Sequence, residues 1–178
     1  MEKINYQKEL EKIISQFSHN QDGTKPSLLL HACCGPCSSY VIEYLSGIFD
    51  ITIYYYNPNI MDREEYLRRR EALLKFIDAF NADNEGRTRV EYLEGEYDPE
   101  RFIRLAEPMK DEPEGGKRCD MCFAMRLSDT AKMSRIRPER SSTFTPSSVS
   151  IMRRFWSNEP IAEEKRGERI LQNDRTDS

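Results

Sequence analysis

No apolar run in this sequence approaches the roughly 20 residues a helix needs to cross a bilayer. The N-terminal stretch MEKINYQKELEKIISQF alternates charge with apolar residues and lacks the hydrophobic region of a signal peptide. Both absences lead us to expect a cytoplasmic protein without membrane contact. Positive charge is not in excess either. With 27 Lys and Arg against 31 Asp and Glu, the net charge is −4. That balance argues against strong nonspecific adhesion to nucleic acid, because phosphate binding needs clustered cations. Local basic patches are still available at Arg68, Arg69 and Arg70 and at Lys117 with Arg118, although such groups also serve as plain solvated surface charge. Cysteine is missing from most of the chain, and none follows Cys122. Without a secretory signal a disulfide framework is disfavoured, so the few cysteines point to metal binding or redox chemistry.

The pattern of apolar residues alternates between helix and strand. Residues 3–17 read as an amphipathic helix with Leu10, Ile13, Ile14 and Phe17 on one face. Ser27–Ala32 is too short for a helix and reads as a buried strand, after which Ser38–Leu45 resumes helical spacing. Asp50–Tyr56 is a second strand, rich in β-branched and aromatic residues, and stops at the turn Asn57-Pro58-Asn59. Asp62 followed by Glu65 resembles a capping box, with Leu67, Leu74, Ile77 and Phe80 as the helical stripe behind it. Arg89–Leu93 is a third strand, Asp98-Pro99 opens a short helix, and residues 120–133 form another. The order α-β-α-β-α-β-α-α implies an α/β fold with a parallel sheet and helices on both faces. Ligands of such sheets bind at the carboxyl ends of the strands, where the first cysteine cluster falls.

All five cysteines lie in Cys33-Cys34-Gly35-Pro36-Cys37 and Cys119-Asp120-Met121-Cys122. A turn lets the adjacent Cys33 and Cys34 converge, and Cys119 and Cys122 present two sulfurs on one face of a helical start. Helix N-termini favour thiolates through exposed N–H groups and the macrodipole. The two pairs make a four-thiolate site that suits an iron–sulfur cluster or tetrahedral zinc. A closed zinc site has no use for Cys37, whereas a reactive centre has. Cys34-Gly35-Pro36-Cys37 also matches the thioredoxin tetrapeptide, although Cys33, the second pair and the lack of a later strand opened by a cis-proline speak against that reading. An ATP-dependent enzyme of the PP-loop kind would carry an SGGxDS-like turn after the first strand. Here that place holds His31-Ala32-Cys33-Cys34-Gly35-Pro36-Cys37-Ser38. His31 is a candidate ligand or proton donor, or a hydrogen-bonded structural residue. Tyr54, Tyr55 and Tyr56 offer a stacking surface for a base, or core packing. Asp120 is a candidate second-metal ligand, or an ordinary helix N-terminal acid.

The stretches LLLHACCGPCSSYVIEYL, YYYNPNIMDREEYLRRREALLKF and KRCDMCFAMRLSDTAK, covering roughly residues 26–133, resemble the QueH-type epoxyqueuosine reductases. The resemblance implies a HUP-like three-layer fold related to PP-loop proteins and a [4Fe–4S] cluster on Cys33, Cys34, Cys119 and Cys122. It further implies an additional iron ion nearby, for which Cys37 and Asp120 are the candidate ligands and reactive groups. The implied substrate is tRNA carrying epoxyqueuosine at the wobble position, reduced to queuosine with an external electron donor. Tyr56, Asn57 and Asn59 are then expected near the cluster, with arginines towards phosphate.

After Lys132 the pattern departs from the resemblance. SRIRPERSSTFTPSSVSIMRRFW is rich in Ser, Arg and Pro, and no Cys-x-Cys pair follows. We therefore expect an incomplete catalytic domain at residues 1–133 and a tail at 134–178, frame-shifted or disordered, that does not extend the sheet.

Overall fold

The apolar runs Leu28–Leu30 and Ile51–Tyr56, the second broken only by Thr52, need cover on both faces, and the fold supplies it. The computed structural model describes residues 5–17, 25–84 and 89–136. Within them β1 (Ser27–His31), β2 (Asp50–Tyr55) and β3 (Glu91–Glu94) form one parallel sheet in the order β1-β2-β3. Ser27 stands opposite Asp50 and His31 opposite Tyr54, while Thr52 faces Glu91 and Tyr55 faces Glu94. The helices are α1 (Tyr6–Phe17), α2 (Gly35–Ser46), α3 (Arg63–Asp83), α4 (Pro99–Ala106) and α5 (Lys117–Ile136), with a 3₁₀ turn at Glu107–Met109. Element order and the parallel α/β class follow the sequence expectation.

Alternation along the strands sorts side chains into two cores. Leu28, Leu30, Ile51, Ile53 and Tyr55 point to one, where Ile42 and Leu45 of α2, Tyr66, Leu73 and Ile77 of α3, and Leu10 and Ile14 of α1 close over them. Leu29, Tyr54 and Tyr56 point to the other, joined by Leu93 and by Met133 of α5. Each such Leu or Ile contributes about 1.5–3 kcal/mol by leaving water. Helices thus cover both faces, giving three layers.

Local chemistry sets the helix starts. Asp62 Oδ1 accepts from the Glu64 and Glu65 N–H groups at 2.8 and 3.2 Å, and Asp98 Oδ1 from Arg101 N–H at 3.1 Å with Pro99 in the first turn. Glu65 does not complete a capping box; its carboxylate pairs with Arg68 and Arg69 instead. The buried stripe of α3 is Tyr66, Leu73 and Ile77, whereas Leu67 is 41% exposed, about one residue's rotation away from the core.

Two boundaries move in a way that matters. Helix α2 begins at Gly35 rather than Ser38, because Pro36 in its first turn is already set for a helix and lacks the N–H that would go unpaired. Helix α5 begins at Lys117 rather than 120, with the Gly116 carbonyl accepting from the Cys119 and Asp120 N–H groups at 2.9 and 3.2 Å. Strand β3 runs over Glu91–Glu94 rather than Arg89–Leu93. The expected tail at 134–178 falls, beyond Ile136, outside the described residues. No helix among the described residues is long and apolar enough to cross a membrane.

Candidate metal centre

The ladder of β1 continues one step past His31, where Ala32 N–H donates to the Tyr54 carbonyl at 3.1 Å. The chain then turns through Cys33 and Cys34 into α2. Cys34 is the N-cap, extended at φ −168° and ψ 164°, and its carbonyl accepts from Ser38 Oγ at 2.8 Å. Gly35 is required at this spot. A Cβ there would lie 3.0 Å from the Ala72 carbonyl oxygen, so the start of α2 rests directly on the backbone of α3. Asn57 braces the same turn, its Nδ2 donating to the Ala32 carbonyl at 2.8 Å, while its buried Oδ1 has no partner.

This packing brings the Cys33, Cys34 and Cys37 sulfurs within 4.8 Å of one another, with Cys33 and Cys34 at 3.8 Å. Cys37 is exposed; the other two are partly buried. The Cys33 and Cys37 thiols are harder to ionise than usual, contrary to the expected effect of a helix N-terminus. Burial first, then the charge of Cys34, pushes Cys33 up to about 12, with Arg126 pulling the other way. Cys37 is raised chiefly by its hydrogen bond with Cys34. At Cys33 desolvation is therefore the dominant effect. Three soft donors this close, of which Cys33 and Cys37 are reluctant to ionise alone, suit a cation that supplies positive charge and displaces protons. The residues fit a metal.

Cys119 and Cys122 sit in the first turns of α5 and are not members of that close group of sulfurs. The loop before them folds back on Cys119, whose Sγ accepts from Gly115 N–H at 3.3 Å, Gly115 holding φ +82°. Burial raises the Cys122 thiol, again with Arg126 opposing. Asp120 lies between the two, partly buried. Lys117 pairs with Glu112, and Arg118 donates to the Lys110 carbonyl, so both shape the loop.

Arg126, one turn beyond Cys122, was not singled out by sequence reasoning. It is 9% exposed, its Nε donates to the Cys122 carbonyl at 3.3 Å, and its guanidinium lies 4.9 Å over the Phe123 ring. Its charge acts on Cys33, Cys122 and His31 alike. A charged residue spaced four after a Cys-x-x-Cys was the available signal, but only packing of α5 against β1 gives it meaning.

The remaining candidates divide. His31 Nε2 lies 2.9 Å from the Tyr56 carbonyl. Since a carbonyl only accepts, Nε2 carries the proton. Burial, then the Arg126 charge, lowers its pKa to about 3, so the ring is neutral and its one N–H is engaged. This removes the proton-donor reading of His31. Tyr54, Tyr55 and Tyr56 are all buried in the two cores, which corrects their reading as a stacking surface for a base. Arg68 and Arg69 pair with Glu65, and Arg70 with Glu94. Arg69 still touches the site through its charge, which lowers Cys37.

A parallel α/β sheet carrying clustered thiols at the carboxyl end of its first strand defines an α/β protein whose cysteines could hold a metal. The family described as "Epoxyqueuosine reductase QueH" matches residues 28–167, and the chain belongs to that family. A Staphylococcus epidermidis protein of that description is 48% identical over 133 residues, 74% of this chain and 54% of the relative. The Staphylococcus aureus protein is 42% identical over the same shares, and that of Thermotoga maritima is 34% identical over 67% of this chain and 58% of its own. The chain spans about half the length of the curated relatives it matches.

Proposed function

We propose that this chain carries the metal-binding part of an epoxyqueuosine reductase acting on tRNA. The observation that carries the reading is the close grouping of the Cys33, Cys34 and Cys37 sulfurs in a chain that matches the family over residues 28–167. Cys33, Cys34, Cys119 and Cys122 would hold a [4Fe–4S] cluster, and Cys37 with Asp120 an additional iron ion. Residues 1–133 form the metal-binding unit in this reading.

The reaction breaks both epoxide C–O bonds, forms a C=C bond and releases the oxygen as water, consuming a pair of protons and an electron pair from an external donor. When bound, the metal centre would pass electrons and polarise the C–O bond as a Lewis acid. The chain's own part is positional. Asn57 and Gly35 fix the cysteine turn against β2 and α3, and Cys37 is exposed to solvent. Tyr56 and Asn57 are committed to packing and bracing, so base recognition falls to other groups.

Anaerobic reconstitution with ferrous iron and sulfide, followed by iron, sulfide and zinc analysis, tests the cofactor. About five iron to four sulfide are expected, four of each in the cluster and one further iron. Incubation of the loaded chain with epoxyqueuosine-containing tRNA and dithionite, with nucleosides read by mass spectrometry, tests the activity. Binding to tRNA that weakens steeply with salt, as phosphate contacts release counterions, is the expected result. Queuosine is expected from a full-length relative, and little or none from this chain, whose catalytic domain is expected to be incomplete. A second reading has one observation in its favour. The 3.8 Å between Cys33 and Cys34 equals the edge of a tetrahedron with metal–sulfur bonds of about 2.3 Å. Uptake of zinc alone, without sulfide, would support a mononuclear site and exclude the cluster.

A further inference from the structure

Arg126 is a buried cation that forms no ion pair among the described residues. Among the described residues, ion pairs join Arg68, Arg69, Arg70, Lys75, Arg101, Lys110 and Lys117 to carboxylates, and Arg126 takes part in none of them. Asp129, the nearest acid along the helix, is taken by Tyr54 and Arg101. An unpaired guanidinium at 9% exposure is costly unless the site itself brings negative charge. Arg126 is also held in place. Its Nε is tied to the Cys122 carbonyl and its guanidinium lies over the Phe123 ring. The bond to the carbonyl sets it one turn from Cys122, and the packing of α5 on β1 extends its field to Cys33 in the other cluster.

We propose that Arg126 is the counter-charge of the metal–thiolate centre, a positioning residue that balances thiolates from both cysteine clusters and sets the potential of what they bind. The inference rests on the metal-centre reading above. A set of thiolates around iron carries net negative charge, and that charge grows on reduction. A fixed cation beside it stabilises the reduced form more than the oxidised form. Arginine suits the role better than lysine would, since its flat, weakly hydrated head group stacks on Phe123 while staying charged.

The test compares the wild-type chain with Arg126→Gln and Arg126→Lys, each reconstituted anaerobically with ferrous iron and sulfide. Arg126→Gln removes the charge but keeps a hydrogen-bond donor; Arg126→Met replaces it should the Gln variant fail to fold. The expected result is a midpoint potential shifted to more negative values in the neutral variant and close to wild type in Arg126→Lys. Equal potentials in all three, at equal iron content, would overturn the proposal. Thermal unfolding of the same proteins without metal supplies an independent arm. There the neutral variant is expected to melt no lower than wild type, because it relieves an unpaired charge, and to gain less on metal loading. If the neutral variant is destabilised equally with and without metal, Arg126 is merely structural and the proposal fails. Should the wild-type chain take up no iron, the metal-centre reading falls, and the metal-free melting comparison still decides whether Arg126 is an uncompensated charge.

Discussion

Tyr54 Oη donates a 2.7 Å hydrogen bond to Asp129 Oδ1, joining β2 to α5 across 75 residues of sequence. Arg101 of α4 completes the contact, 3.5 Å from Asp129 Oδ2 and 3.1 Å from Tyr56 Oη, beneath the stacked rings of Tyr54 and Tyr56. This junction orients α5, and with it Cys119, Cys122 and Arg126. Tyr54→Phe should cost about 1.5–3 kcal/mol, the range for a hydrogen bond to a charged acceptor. Urea unfolding would read it as a lower midpoint at unchanged slope, and iron retention should fall because α5 is loosened.

Tyr54, Tyr55, Tyr66 and Tyr92 are all harder to ionise than free tyrosine, mainly through burial. Their stabilising share is complete below the unfolded value of about 10 and is lost as pH rises towards the folded values. Circular dichroism should therefore show stability declining above pH about 10, with tyrosinate absorbance rising together with unfolding and not before it. Tyrosinate appearing in the intact fold would contradict the burial.

Gly35→Ala places a methyl 3.0 Å from the Ala72 carbonyl oxygen, which belongs to helix backbone and cannot swing aside. Overpacking of this kind costs about 1–3 kcal/mol. The strain is delivered at the residue between Cys34 and Cys37. A lower melting temperature and reduced metal binding should appear together; a stable variant with full metal content would mean that α2 slides freely on α3.

Serine substitutions separate the cysteine roles. In Cys33, Cys34, Cys119 or Cys122 they should abolish the charge-transfer absorbance of a reconstituted cluster. Cys37→Ser should keep that absorbance while lowering iron content. Loss of absorbance in Cys37→Ser, with retention in Cys119→Ser, would instead place a metal on Cys33, Cys34 and Cys37.

Much of the architecture could be read from local rules. Asp62 and Asp98 cap the helices they were expected to cap, because an N-cap is decided by residues within one turn. Strand runs and element order followed from period and composition, since a strand buried on both faces must be apolar throughout. The cysteine clusters announced themselves by bunching. Less legible were quantities that depend on what packs against a residue. Leu67 is the more apolar of two neighbours, yet the rotation of α3 on the sheet buries Tyr66 and exposes Leu67. Tyr54, Tyr55 and Tyr56 could be read as a stacking surface or, more commonly for such a triplet, as core, and two helical layers covering both faces decide for core.

The sequence alone determined the α/β class, the order of elements and the inventory of thiols, because each is written in spacing along the chain. Tertiary structure decided the electrostatics. Whether a thiol at a helix start ionises easily depends on the competition between the helix dipole and desolvation. Burial raises Cys33 and Cys122 here. Arg126 became part of the site only when α5 packed beside β1, since a charge acts through distance in space, and no pattern of neighbours in sequence encodes that distance.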